Sequence, residues 1–285
     1  MIGQIRSELL KIRTTNTWWL FGIGLVVMTG LALLVNCLQA DFYLGQAPPD
    51  TSGLPPDEAA QAQEEFEAQH NVEGQAANVF TSGQYFGGLF LLLLGMLMVT
   101  NEFYHQTATA TFLTRPNRAA VVVAKLCTGV FFAGVFWVIT TLLSVVVGVL
   151  FFQGQDVANP LGEWEVQRAI LFNLLVFGLW AILGVGFGAL IRNQIGAVVT
   201  GTLLYLVGTQ LAQLVFILLR EYIIRDDAVF AWQVVIPAVA AQVFTSSALI
   251  FPNSPPYWVG GLVLLAYGVG GGVIGTLIMR RRDIS

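Results

Sequence analysis

Six runs of this chain contain no Asp, Glu, Lys, Arg or His, and each is long enough to cross a bilayer. They cover residues 14–40, 74–101, 126–155, 169–191, 193–219 and 228–279. A crossing takes about 20 apolar residues, because the hydrocarbon is roughly 30 Å thick and a helix rises about 1.5 Å per residue. With 56% hydrophobic and only 11% charged residues, the pattern excludes a soluble domain and predicts an all-α polytopic membrane protein.

The charges outside these runs sort by sign. Basic residues stay on the side of synthesis, so they orient the chain. With the N-terminus inside and six spans, ten of the thirteen Lys and Arg fall on the inner side, leaving Arg168, Arg220 and Arg225 outside. Of the seventeen acids only Glu8, Glu102 and Asp283 are inside. This predicts an N-in, C-in protein with spans at about 18–40, 83–101, 121–152, 168–190, 196–219 and 258–279. The last run is long enough for two crossings, but a seventh would carry Arg280, Arg281 and Arg282 outside. Its first half also holds Pro237, Pro252, Pro255 and Pro256 among several Gln, Thr and Ser. Residues 228–256 are therefore expected to form an outer re-entrant segment, with a helical pair at 228–251 whose irregular backbone is covered by protein.

Trp18 and Trp19, Phe151 and Phe152, and Tyr257 and Trp258 fall at these boundaries, where amphipathic rings settle at headgroup depth. The first run is too long for a signal-peptide core and no small-x-small pattern follows it, so it reads as a span. Cys37 and Cys127 fall on opposite sides of the membrane and read as buried small apolar residues rather than a disulfide.

Between the spans, residues 1–16 place Ile2, Ile5, Leu9 and Ile12 at helical spacing against Arg6, Glu8, Lys11 and Arg13. That is an amphipathic interface helix on the cytoplasmic leaflet, facing lipid or a partner or serving only as a topology anchor. The outer segment 41–82 carries eight carboxylates and no Lys or Arg. Residues 57–69 favour helix after the Pro55-Pro56 break, and the acidity suits a solvated face as well as collection of a cation. The inner segment 102–118 runs from Glu102 through a Thr-rich turn to Leu113-Thr114-Arg115-Pro116-Asn117-Arg118, with Lys125 beyond. Proline disfavours helix at the residue before it, so a short helix ending near Arg115-Pro116 is expected.

In this order the inner Glu, the Thr-rich turn, the Leu-Thr-x-Pro-x-Arg run and the following Lys resemble the ABC-2 type permeases of ATP-binding-cassette transporters. The amphipathic start with Glu8 and Lys11, the six spans and the outer pair before the last span extend the resemblance over nearly the whole chain. It implies a permease subunit of an exporter, working as a dimer of two permease chains, identical or different. It also implies a separate cytoplasmic ATPase that holds the ATP and Mg, no cofactor in this chain, and a plasma-membrane location of the bacterial cytoplasmic kind. The surface helix and residues 102–118 would touch the ATPase, making Glu8, Lys11, Glu102, Arg115, Pro116 and Arg118 the expected coupling residues. Gln106 stands where the family usually has a small residue.

The missing chemistry agrees with a passive subunit. Lys11 and Lys125 are the two lysines and neither follows a glycine, so there is no phosphate-binding G-x-x-x-x-G-K-[ST] loop. Intramembrane carboxylates, His or Arg that carry protons or sense voltage are not expected within the charge-free runs. His70 and His105 lie on opposite sides of the membrane, and no His, Cys or carboxylate grouping has metal-ligand spacing. No nucleophile has a base beside it, and nothing suggests a nucleic-acid partner.

Gly184-x-x-x-Gly188, Gly268-x-x-x-Gly272 and Gly271-x-x-x-Gly275 are small-residue faces suited to close packing, within the chain or across a dimer. Gln210 and Gln213 share a helical face, and with Phe86, Phe90 and Tyr205 they are expected in a substrate pathway suited to amphiphilic or hydrophobic cargo. Asn36 and Asn173 are further uncharged polar residues in spans, and interhelical hydrogen bonding accounts for such groups equally simply. A second hypothesis is a non-transport scaffold or assembly factor whose acidic outer domain binds a partner.

Overall fold

A computed structural model describes residues 2–107, 118–155, 157–191, 193–247, 250–251 and 253–281. Helix α1 (Ile2–Thr14) turns sharply into α2 (Thr17–Leu44). The joint is held by the boundary tryptophans, as Trp18 Nε1 donates to the Arg13 carbonyl and Trp19 Nε1 to Asn16 Oδ1, both at 3.2 Å. Buried Glu8 and Ile12 lie four residues apart on the face of α1 that meets the bundle.

Helix α3 (Pro56–Gln69) starts with proline in its first turn followed by Asp57 and Glu58, which suit the free N–H groups and positive end of the dipole there. Its end returns to α2, with His70 Nδ1 3.1 Å from the Tyr43 carbonyl. Helix α4 (Val72–Phe80) begins at Asn71, whose side chain accepts from the Glu73 and Gly74 amides, and leads through a tight turn into α5 (Gln84–Tyr104). Together these form one apolar stretch from Val72 to Tyr104. The sequence reading starts the second span at residue 83; the helical chain begins eleven residues earlier because Val79 and Phe80 are buried against Phe152 and the bare backbone of Gly148.

Helix α6 (Arg118–Gly154) and helix α7 (Trp164–Leu190) follow. Helix α8 (Gln194–Ile224) contains two π-helical turns, Leu204–Gly208 and Arg220–Ile224, and ends at Arg225 in the left-handed region. The 3-10 stretch Asp227–Val235 and helix α9 (Pro237–Thr245) meet at 102°, and helix α10 (Tyr257–Arg281) completes the chain. Among the described residues six helices are long and apolar enough to cross a membrane, and no strand occurs.

Helix α5 is the centre of the bundle, buried on nearly every side. A helix that is apolar all round can only be a core element or face lipid, and glycines decide which faces close. A Cβ on Gly184 would sit on the Leu92 carbonyl, one on Gly188 would lie 2.7 Å from the Met96 carbonyl, and one on Gly95 2.6 Å from the Ala181 carbonyl. Gly268 meets Leu179, Gly271 meets Leu183, and Gly275 meets Gly186. All three small-residue faces therefore pack within the chain, α5 against α7 and α7 against α10, where backbones approach to van der Waals contact. Helices α2, α8 and α10 form the outer wall, with large apolar side chains such as Leu34, Leu211 and Leu262 exposed.

The helices outrun the charge-free runs. Glu102 belongs to α5, Lys125 to α6 and Arg168 to α7, and all three are buried. The expectation of spans without ionisable groups is corrected in this respect: these charges sit in the helices near their ends, inside protein, where partners neutralise them.

Candidate functional site

The α1 end of the bundle holds four charged side chains from three helices. Lys125 Nζ, with its side chain fully buried, donates to Glu8 Oε2 at 2.8 Å and to the Met98 carbonyl at 2.8 Å, and lies 2.9 Å from Glu102 Oε1. Its three donors thus have three acceptors. Lys11 Nζ lies 2.6 Å from Glu8 Oε1 and 2.6 Å from Glu102 Oε1. Two carboxylates and two ammonium groups alternate, so the cluster is neutral and each buried ion has opposite charges as neighbours. Transferring one such ion alone would cost several kcal/mol, so the four are stable only together.

Local structure explains the convergence. Glu8 and Lys11 are one turn apart on the buried face of α1, Met98 and Glu102 one turn apart on α5, and Lys125 follows Val121, Val122 and Ala124, which bury the start of α6. Burial lowers the proton affinity of Lys11, but its hydrogen bonds to Glu102 and Glu8 outweigh that, leaving its pKa above the ordinary 10.5. Lys11 is also the open side of the cluster, with 42% of its side chain exposed. Beside it lies a cleft of about 270 Å³ reached by Thr14, Asn101, His105 and Thr107. The Asn101 Oδ1 atom is buried there without a hydrogen-bond partner among the described residues.

Helix α5 ends in this cleft through Gln106, which takes the left-handed conformation at φ 56°. Its neighbour Thr107 returns its amide to the Glu102 carbonyl at 2.9 Å. Helix ends commonly use glycine for this geometry, so the position that departs from the resemblance is also a strained one.

Of the expected coupling residues, the structure brings together Glu8, Lys11 and Glu102. Arg115 and Pro116, and the short helix expected before them, lie outside the described residues; Arg118 opens α6, and its side chain is likewise outside them. Lys125 was not among the expected site residues, although it is one of only two lysines and the sole charge within the expected third span, 121–152. The Met98 carbonyl had no signal in sequence, since any residue supplies one.

At the opposite end, α2, α4, α5 and the bent pair enclose a cleft of about 1230 Å³. Phe86 and Tyr205 line it. The Tyr205 hydroxyl donates to the Tyr85 carbonyl at 2.6 Å, and its ring lies 4.8 Å from that of Trp180. Gln210 reaches the Tyr85 side chain but is otherwise exposed, Gln213 is half-buried on the same outer helix, and Phe90 packs against Phe21 at 5.5 Å instead of entering the cleft. Most of the polar lining comes from elsewhere, including Asn36, Gln39, Asn78 and Gln242. Of these, Asn36 is the one named from sequence as an uncharged polar residue in a span.

The bent pair is fastened at this end. Gln84 Nε2 donates to the Ala241 carbonyl at 2.7 Å while its Oε1 accepts from Thr245 at 2.9 Å. Arg168 donates to the Ser246 carbonyl at 2.9 Å, pairs with Glu165 at 2.6 Å and stacks 4.0 Å above the Tyr257 ring. Among the described residues no group of His, Cys, Asp and Glu could hold a metal ion.

An all-helical bundle with six apolar crossings, a neutralised charge cluster against a surface helix at one end and a cleft at the other defines a multi-pass membrane transport subunit. The chain belongs to the ABC-2 family transporter proteins, whose family model matches residues 4–209. That span takes in nearly all of α1, the cluster and about half of α8. No curated protein matches the chain.

Proposed function

We propose that this chain is the membrane subunit of an ATP-driven exporter for an amphiphilic or hydrophobic substrate, moved by a separate ATPase that supplies the ATP and Mg. The observation that carries this is the cluster of Glu8, Lys11, Glu102 and Lys125, which ties a surface helix to the ends of the second and third spans. A push on α1 or on residues 102–118 passes directly into α5, the most buried helix of the bundle. The small cleft beside Lys11, with the unpartnered Asn101 oxygen, offers a docking place for the ATPase. The family resemblance adds Arg115, Pro116 and Arg118 as further coupling residues.

The charge asymmetry of the sequence supports a cytoplasmic position for both termini and the cluster at the plasma membrane. The bent pair then lies outside, and a re-entrant course is supported by its fastening to the first turns of α5, α7 and α10, all at one end of the bundle. The buried charges of the cluster are saturated by one another, which leaves no proton carrier among them and favours an external source of energy. A second permease chain completes the pathway, with direction outward.

Co-purification with an ATPase, followed by ATP hydrolysis measurements on Glu102→Ala and Arg115→Ala complexes, tests the reading. Both substitutions are expected to abolish substrate stimulation of hydrolysis while the complex persists. Unchanged stimulation in a stable complex removes the coupling assignment.

A further inference from the structure

The large cleft at the end of the bundle opposite α1 combines two properties. Its described lining residues include several carboxamides with unused hydrogen-bonding capacity, among them Asn36, Gln39, Asn78 and Gln242, and no Lys or Arg. Asn36 spends its Nδ2 on Ser82 Oγ at 2.8 Å and the Asn78 carbonyl at 3.4 Å, which leaves its Oδ1 open. The side-chain amides of Gln39, Asn78 and Gln242 have no hydrogen-bond partner among the described residues, and all three are exposed. Carboxamides left without partners on a cavity wall offer both donors and acceptors to a ligand. They come from three separate elements, α2, α4 and α9, and converge on one cavity.

Charge on the lining is acidic. Glu64 faces the cleft from α3, and Asp227 faces it with its Oδ1 committed to Arg220 at 2.8 Å. An anion entering here loses hydration and meets the Glu64 carboxylate, with no Lys or Arg among the described lining residues to receive it. The apolar part of the wall is made by Leu31, Val35, Phe86 and Phe251.

We infer that this cleft binds an amphiphile through an uncharged headgroup rich in hydrogen-bonding groups, glycosyl or amide in chemistry, and rejects phosphate-, sulfate- or carboxylate-headed molecules. Amides offer both donors and acceptors, so they match hydroxyls and amides without requiring charge. The apolar wall takes the chain. This deepens the transport reading and rests on it for the cleft's place in the pathway.

The test uses the purified full chain in phosphatidylcholine nanodiscs and three dodecyl probes bearing the same fluorophore, with maltosyl, trimethylammonium or sulfate headgroups. The maltosyl probe is expected to bind about tenfold more tightly than the sulfate probe. Gln39→Leu combined with Gln242→Leu, two residues without intrachain side-chain partners, is expected to weaken the maltosyl probe about fivefold and leave the sulfate probe unchanged. Asn36→Leu is a second variant with the same expected direction. Equal binding of the sulfate probe, tightest binding of the trimethylammonium probe, or unchanged maltosyl affinity in the double variant overturns the inference. Because no ATPase is present, these outcomes are independent of whether an ATPase associates with the chain.

Discussion

Lys125 Nζ stands 2.8 Å from Glu8 Oε2, a carboxylate 117 positions away in sequence, and the lysine side chain is completely buried. This pair closes the surface helix α1 onto the third span. Its partner Glu102 closes the same helix onto the second.

Removing one member of the cluster is expected to cost more than removing a matched pair. Lys125→Met leaves Glu8 and Glu102 buried with Lys11 alone between them, a loss of about 3–5 kcal/mol. Combining Lys125→Met with Glu8→Gln restores neutrality, and the cycle is expected to show a coupling of about 1–3 kcal/mol. Thermal unfolding of the four proteins in nanodiscs measures both quantities. Additive losses would mean that the two side chains do not sense each other.

The pH dependence should follow Lys11. Its pKa is raised in the folded chain, so the stability it contributes is present in full below 10.5 and is lost as pH rises through the folded value. Melting temperatures followed from neutral pH to above that value should fall, and Lys11→Arg, whose charge persists there, should postpone the fall. A variant whose profile matches the parent chain would show that Lys11 is not the titrating group.

Close helix packing predicts a sharp contrast between glycines. Gly184→Ala places a methyl group on the Leu92 carbonyl, where neither backbone can yield, and is expected to cost about 1–3 kcal/mol or more. Gly22→Ala on α2 has nothing within 4 Å and is expected to be neutral or to stabilise by about 0.5–1 kcal/mol through helix propensity. Unfolding of the two variants side by side provides the check.

The acidic outer segment separates transport from scaffolding. Because His70 returns to Tyr43, residues 46–69 can be replaced by a short Gly-Ser link without disturbing α4, whose residues are core. Expected is a folded protein that keeps substrate-stimulated ATP hydrolysis in complex with its ATPase. Loss of all function with folding intact would favour a scaffold that works through this segment.

How far the protein could be read from its residues depended on the range of the forces involved. The apolar runs were legible because hydrocarbon filters charge residue by residue, and helix α3 because proline and acidic first-turn residues act locally. Residues 72–80 were harder, since Glu73 and Gln75 gave them a polar look while Val79 and Phe80 found their partners on α6, more than sixty positions away. Glu8, Lys11 and Glu102 could be suspected as charges beside apolar runs. Their joining to Lys125 could not be seen, nor could the gathering of Gln39, Asn78 and Gln242 around one cleft.

Sequence by itself determined that this is a helical membrane protein, where its apolar runs lie, and that it carries no phosphate-binding loop of its own. Those properties follow from composition and spacing along one helix at a time. Tertiary structure alone decided which charges neutralise each other, which glycines admit a neighbouring backbone, and which amides face a common cavity. Each of these depends on distances between helices remote in sequence, set by the packing of α5 against its neighbours.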